Sequence, residues 1–295
     1  MKSQPEAPNK LVVIVGPTAS GKTALAVDIA KRHHGEVISA DSRAIYRWFD
    51  IGTAKPTKQE QAGVKHHLID ICDPGETFSA AQFKKLATKT IEEIRGRGHL
   101  PIIAGGTGLY VDAFLFDYSF RSKNDSIIDF SKCSTEELQE KVQQQFGDAV
   151  IETELKNRQR LEKILQLGPT NSGDRITLDI DCIVIGLLPE MPLLKQKIEL
   201  RVKSMLNNGF IQEVKNIMKT YGSDCPQLNI IGYRHAREYI QGIITEEEFI
   251  ERFVRDDYQL ARRQRTWFRR NSAIVWCDTP KSALLRVEEY LSQKR

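Results

Sequence analysis

Short apolar runs alternate along this chain with longer stretches in which Ala, Leu, Val and Ile recur every three or four positions. Leu11–Val15, Glu36–Ala40, His67–Cys72, Pro101–Ala104, Cys182–Leu188 and Ala273–Cys277 read as buried strands. Gly21–His33 and Ala80–Arg97 carry helical spacing. Strands alternating with helices predict an α/β fold with a doubly wound parallel sheet.

The rhythm breaks between about Ser119 and Asp181, where two helical patterns follow one another without a strand. Ser134 with Glu137 forms a capping box for the first, and Gly168-Pro169 stops the second after Leu167. The expected organisation is therefore a core of residues 1–118 and 182–295 interrupted by a helical insertion, 119–181. The last third reads as helices: Leu193–Asn208 closed by Gly209, Ile211–Tyr221 closed by Gly222, and a long helix capped by Thr245 and Glu248.

Composition narrows the class. The chain has 295 residues, 40% hydrophobic and 28% charged, which excludes collagen-like, disordered and membrane-spanning proteins. The uncharged stretch Leu100–Val111 is too short to span a bilayer. Met1–Lys10 is polar, with neither a signal-peptide core nor an Arg-rich presequence, so a cytoplasmic protein with no membrane association is expected. The five cysteines are scattered and never paired as C-x-x-C, which points to reduced thiols rather than a disulfide framework or a zinc knuckle. A net charge of +4 is too small to identify a partner; the distribution of charge must do so.

Gly16-Pro17-Thr18-Ala19-Ser20-Gly21-Lys22-Thr23 has the form G-x-x-x-x-G-K-[ST] and lies between a predicted strand and a predicted helix. Such a loop turns backbone N–H groups toward a phosphate; Lys22 adds a point charge, and the Thr23 hydroxyl can bind Mg²⁺. The metal-holding Asp of a hydrolytic motor is poorly matched by His67-Leu68-Ile69-Asp70. A second glycine turn, Gly105-Gly106-Thr107-Gly108, ends the strand Pro101–Ala104, where open α/β sheets bind ligands. This suits group transfer from a phosphorylated donor, although a tight turn also calls for glycine. Asp41 follows the second strand and is placed as a general base or a turn residue; Ser42 and Tyr46 could line the same pocket. The pairs His33-His34 and His66-His67 lack metal-ligand spacing. In the last long helix Arg262, Arg263, Arg265, Arg269 and Arg270 fall among Trp267 and Phe268. They form either a solvated face or a phosphate-binding stripe beside a core face made of Phe253, Leu260, Trp267, Val254, Ala261 and Phe268.

Taken together, Gly16–Thr23, Ser39-Ala40-Asp41-Ser42, Asp50-Ile51-Gly52-Thr53-Ala54-Lys55-Pro56, His66–Asp70, Gly105–Tyr110 and Ala261–Arg269 resemble the tRNA dimethylallyltransferases, in family order over nearly the whole chain. The resemblance implies a P-loop NTPase-like fold and transfer of a dimethylallyl group from dimethylallyl diphosphate to N6 of adenosine 37 in tRNA. By that likeness the P-loop cradles the donor diphosphate, Asp41 is the general base, Thr23 lies near the leaving oxygen and Mg²⁺, and Arg201 holds the diphosphate. Ser42, Arg43 and Ala44 form the wall for the flipped adenine, and Thr107 matches a tRNA-contacting position. Arg158, Gln159 and Arg160 fall in the family's insertion motif, expected at the anticodon arm, and a monomer is expected. This chain departs from the family with Ala44 where a Gln is common, with clean matches only at Asn157 and Arg160 in the stretch 157–166, and with a shorter insertion. The rival readings are a P-loop small-molecule kinase and a non-catalytic RNA-binding P-loop protein.

Overall fold

The computed structural model describes residues 9–118, 130, 133–147, 158–167 and 180–293. The chain opens with β1 (Leu11–Val15), α1 (Lys22–Arg32), β2 (Gly35–Ser39), α2 (Lys58–Gln61) and β3 (His66–His67). It continues through α3 (Ala80–Gly96), β4 (Leu100–Gly105) and α4 (Gly108–Leu115) to α5 (Thr135–Phe146) and α6 (Arg158–Leu167). Then follow β5 (Cys182–Leu187), α7 (Met191–Asn207), α8 (Phe210–Tyr221), α9 (Tyr233–Ile240), α10 (Glu246–Phe268), β6 (Ile274–Cys277) and α11 (Pro280–Ser292).

The six strands form one sheet in the order β3-β2-β4-β1-β5-β6, and every pairing is parallel. β1 lies between β4 and β5 and is fully buried, which is why Leu11–Val15 is apolar at every position. α1 and α11 cover one face: Leu25, Ile29, Ala283 and Val287 pack on Val12, Ile14, Ile102 and Ile185. α3 lies against β2 and β4 through Phe83, Ala87, Ile91 and Ile94, which take no part in that cluster and so occupy the other face. Helices on both faces make the sheet doubly wound, as the alternation predicts.

The chain divides into two compact units, residues 1–115 with 179–295, and residues 116–178. Within the second, α5 starts on the Ser134–Glu137 capping box and packs on α6 through Leu138, Val142, Leu161 and Ile164. In the first, α7 to α10 build a separate core around Phe210, Tyr233, Phe249 and Phe253. The Thr245–Glu248 capping box opens α10. No helix among the described residues is long and apolar enough to cross a membrane.

Two expectations need correction. The strand read over His67–Cys72 is cut to His66–His67, because Leu68 (φ 59°) and Asp70 (φ 54°) turn into the left-handed region. Cys72 instead bridges to Tyr46. The core face read for α10 also splits: Phe253, Ala261 and Phe268 are buried, whereas Leu260 and Trp267 line an open cleft.

Candidate active site

The P-loop wraps the N-terminus of α1. Gly21 enters the helix at φ 92°, a left-handed conformation that a side chain would strain, and Ser20 is buried beneath the loop. Lys22 Nζ donates to the Pro17 carbonyl at 2.6 Å, while Thr23 is exposed on the cleft wall. Burial pushes the Lys22 ammonium down to about 8, against the pull of Asp41 and with a further push from Arg201. A cation destabilised in this way is poised to receive an anion.

Asp41 lies just past the carboxyl end of β2, on the same cleft. Its Oδ1 accepts from the Arg43 backbone N–H at 2.9 Å, which makes it a turn aspartate as well as a cleft carboxylate. Thr107 braces this turn: its Oγ1 accepts from the Ser42 N–H at 2.9 Å and donates to Ser42 Oγ at 3.2 Å. The wall beyond is anchored by Lys55, whose buried Nζ donates to Tyr46 O at 2.7 Å and to Asp50 and Asp70 at 2.5 Å each. Asp70 thereby helps clamp this segment through Lys55. Glu213 of α8 accepts from the N–H groups of Ile51 at 2.8 Å and Asp50 at 3.1 Å, holding the same segment from outside.

The second glycine turn is explained by close approach rather than by unusual φ. A Cβ on Gly105 would collide with the Ala40 backbone, and one on Gly108 with the Trp267 ring. Trp267 is fixed by its own N–H, which donates to Asp112 at 2.8 Å. Gln264 ties the two turns together: its Oε1 accepts from Thr18 N at 2.8 Å and its Nε2 donates to Gly106 O at 2.9 Å.

Arg201, on α7, donates to Thr18 Oγ1 at 2.7 Å and to Asp257 Oδ2 at 2.5 Å. Asp257, on α10, is buried, and Arg43 approaches its other oxygen at 3.6 Å. Asp257 and Gln264 escape sequence reading because nothing local distinguishes them from the charged and polar residues around them. Their helical offset of seven, on the face carrying Leu260 and Trp267, is the signal that could have found them.

These groups surround a cleft of about 620 Å³. Thr18 to Thr23, Asp41 to Ala44, Thr107, Arg201 and Arg263 all line it. Gly16 and Pro17 support the loop from behind, and a Cβ on Gly16 would press on the Leu187 carbonyl at 2.6 Å. Arg262, Arg269 and Arg270 are exposed and Arg265 half-buried; none of the five arginines makes an ion pair among the described residues. In the second unit Arg158 is spent internally, donating to Cys133 O at 2.7 Å and Phe130 O at 2.8 Å. Asn157 and the side chains of Gln159 and Arg160 lie outside the described residues.

Mg²⁺ takes hard oxygen ligands, keeps several waters, and is commonly held by few protein groups plus substrate phosphates. The Thr23 hydroxyl, exposed beside the anion cradle, fits that donor set.

Residues 44–271 match the family model described as IPP transferase. The tRNA dimethylallyltransferase of Staphylococcus carnosus is 37% identical over 292 residues, covering 93% of this chain and 92% of that protein. That of Anoxybacillus flavithermus is 36% identical, with 96% and 95% covered. Among solved structures, the tRNA isopentenylpyrophosphate transferase of Bacillus halodurans superposes with a TM-score of 0.74 at 36% identity, covering 96% of both chains. A eukaryotic dimethylallyltransferase at 24% identity, covering 97% of this chain and 80% of that one, shares the fold with a TM-score of 0.78. The common fold is P-loop NTPase-like, and the chain belongs to the IPP transferase family.

Proposed function

We propose that the protein transfers a dimethylallyl group from dimethylallyl diphosphate to N6 of adenosine 37 in the anticodon arm of tRNA, releasing diphosphate. The observation that carries this reading is the convergence on one cleft of a P-loop, the Asp41 carboxylate past β2, and Arg201. The P-loop amides, Lys22 and Arg201 bind the donor diphosphate and neutralise the charge that grows on its oxygens as the allylic C–O bond breaks. Mg²⁺, held by Thr23 and the phosphate oxygens, would add further neutralisation of the leaving group. Asp41 accepts the N6 proton as the nitrogen bonds to the allylic carbon. The adenine reaches such a cleft only by leaving its stack, and Ser42, braced by Thr107, forms the wall beside it with Ala44.

The exposed arginines of α10 then bind tRNA phosphates, and the second unit grips the anticodon arm through Gln159 and Arg160, while Arg158 braces its fold. A monomer acting in the cytoplasm completes the reading. The test incubates the protein with unmodified tRNA and either dimethylallyl diphosphate or ATP, with mass spectrometry of the digested nucleosides. A prenylated adenosine is expected with the diphosphate; a phosphorylated product with ATP would support a kinase instead, and no product would support a binding protein.

A further inference from the structure

Arg43 does not make the contacts of a residue that faces only a nucleobase. Its guanidinium approaches Asp257, whose side chain is 2% exposed and whose Oδ2 is already taken by Arg201. Asp257 Oδ1 has no hydrogen-bond partner among the described residues, and at 3.6 Å Arg43 Nη1 is beyond hydrogen-bonding range. Arg43 is thus drawn to the carboxylate without being locked to it, and its side chain, 18% exposed, lines the cleft. One carboxylate cannot neutralise two guanidinium groups, so the pair presents net positive charge beside the P-loop residue Thr18 that Arg201 touches. A diphosphate carries two adjacent phosphoryl groups, each able to take the fork of an arginine.

We propose that Arg43 is a second arginine for the donor diphosphate, held ready beside Arg201 by their shared counter-ion Asp257, and is not part of the wall that reads the tRNA base. The proposal rests on the dimethylallyl-transfer reading of the same cleft. When the donor enters, the Arg43 guanidinium passes from its loose contact with Asp257 to the phosphate oxygens, while Asp257 keeps Arg201 in place. Asp257 is therefore a positioning residue. The Arg43 backbone N–H donates to Asp41, so the turn that carries this arginine also holds the carboxylate that takes the proton.

The test titrates inorganic diphosphate and dimethylallyl diphosphate into the wild type, Arg43→Gln, Arg43→Lys and Asp257→Asn, with tRNA affinity measured separately over a salt series and folding checked by thermal melting. Arg43→Gln is expected to weaken both diphosphates about ten- to hundredfold, as for loss of a charge-assisted hydrogen bond, with tRNA affinity and its salt slope unchanged. Arg43→Lys, which keeps the charge and loses the fork, should recover part of the loss. Asp257→Asn should weaken the same ligands, and its effect combined with Arg43→Gln should fall short of the product of the two. Unchanged diphosphate affinity in Arg43→Gln overturns the proposal, whatever happens to tRNA binding. Failure of the wild type to prenylate tRNA would overturn the functional reading instead, and the diphosphate titrations separate the two cases.

Discussion

Asp41 lies past β2 on the cleft wall and can take a proton from the acceptor nitrogen, whereas Glu60, which also lines the cleft, is engaged in the Thr57 capping box. Asp41→Asn keeps its shape and its hydrogen bond to the Arg43 N–H but removes the base. Single-turnover prenyl transfer should fall by ~10²- to 10⁴-fold with donor and tRNA affinities nearly unchanged; a variant that turns over like the wild type would remove Asp41 from the mechanism. Lys22 gives a pH signature. Its pKa is lowered by burial to about 8, so the free protein holds the ammonium below pH 8 and loses it above. A bound diphosphate raises that pKa again, so donor affinity should fall with rising pH from about 8, and calorimetric titration of Lys22→Met should show no such fall. Gly16–Thr23 and Asp41 are legible in the sequence because their chemistry is local to a turn. Asp257 is not, because its burial comes from Arg201, 56 residues away on α7, and a lone acid in a helix full of charge reads as surface.

Among the elements, α10 is the one whose faces do different work. Asp257, Gln264 and Trp267 point to the cleft and its supports, Phe253 and Phe268 to the core, and Arg262, Arg269 and Arg270 to solvent. Each exposed arginine that meets a tRNA phosphate should, on change to Ala, weaken binding across tRNA sequences and reduce the log–log salt slope by about one unit, with donor binding intact. Filter-binding measurements over a salt series decide this, and slopes that do not move would make the face merely solvated. Gln264 makes a sharper demand, since it must accept from Thr18 N and donate to Gly106 O at once. Gln264→Glu keeps the acceptor and loses the donor, so it should raise the donor KM even if the protein melts normally. The amphipathic helices and the short buried strands were legible from their periods. α4 was not, because Tyr110 to Leu115 are all buried and show no polar face to set a period. The overrun of β3 has the same kind of cause: an apolar run carries no mark of the left-handed turns at Leu68 and Asp70.

At the scale of the whole molecule the two ends of the sheet differ in kind. The carboxyl ends of the strands carry the cleft, whereas near the amino end of β2 the buried Glu36 gathers Arg97 at 2.8 Å, His67 at 2.6 Å and His99 at 2.7 Å. Burial raises the Glu36 pKa, but hydrogen bonds from Arg97, His67 and His99 outweigh it and hold the carboxyl at about 2. A carboxyl depressed on folding contributes stability above its unfolded pKa, near 4.5, and loses that contribution as pH falls toward 2. Denaturant titrations should therefore show Glu36→Gln less stable than the wild type at pH 6, with the gap closing as the pH drops from about 4.5 to 2; a gap that stays constant would exclude this origin.

The position of β1 also has a consequence for how the protein is made. Leu11–Val15 leaves the ribosome well before either of its partners, since it pairs on one side with β4 and on the other with β5, which ends at Leu187. At roughly 5–20 residues per second, that second partner follows on the order of ten to thirty seconds later. Throughout that interval a fully apolar strand has an unpaired edge, and the cleft still lacks Arg201, Asp257 and Gln264. A nascent or truncated chain ending before β5 therefore carries the phosphate-binding motif without its supports, and exposes a fully apolar strand to chaperones and to aggregation.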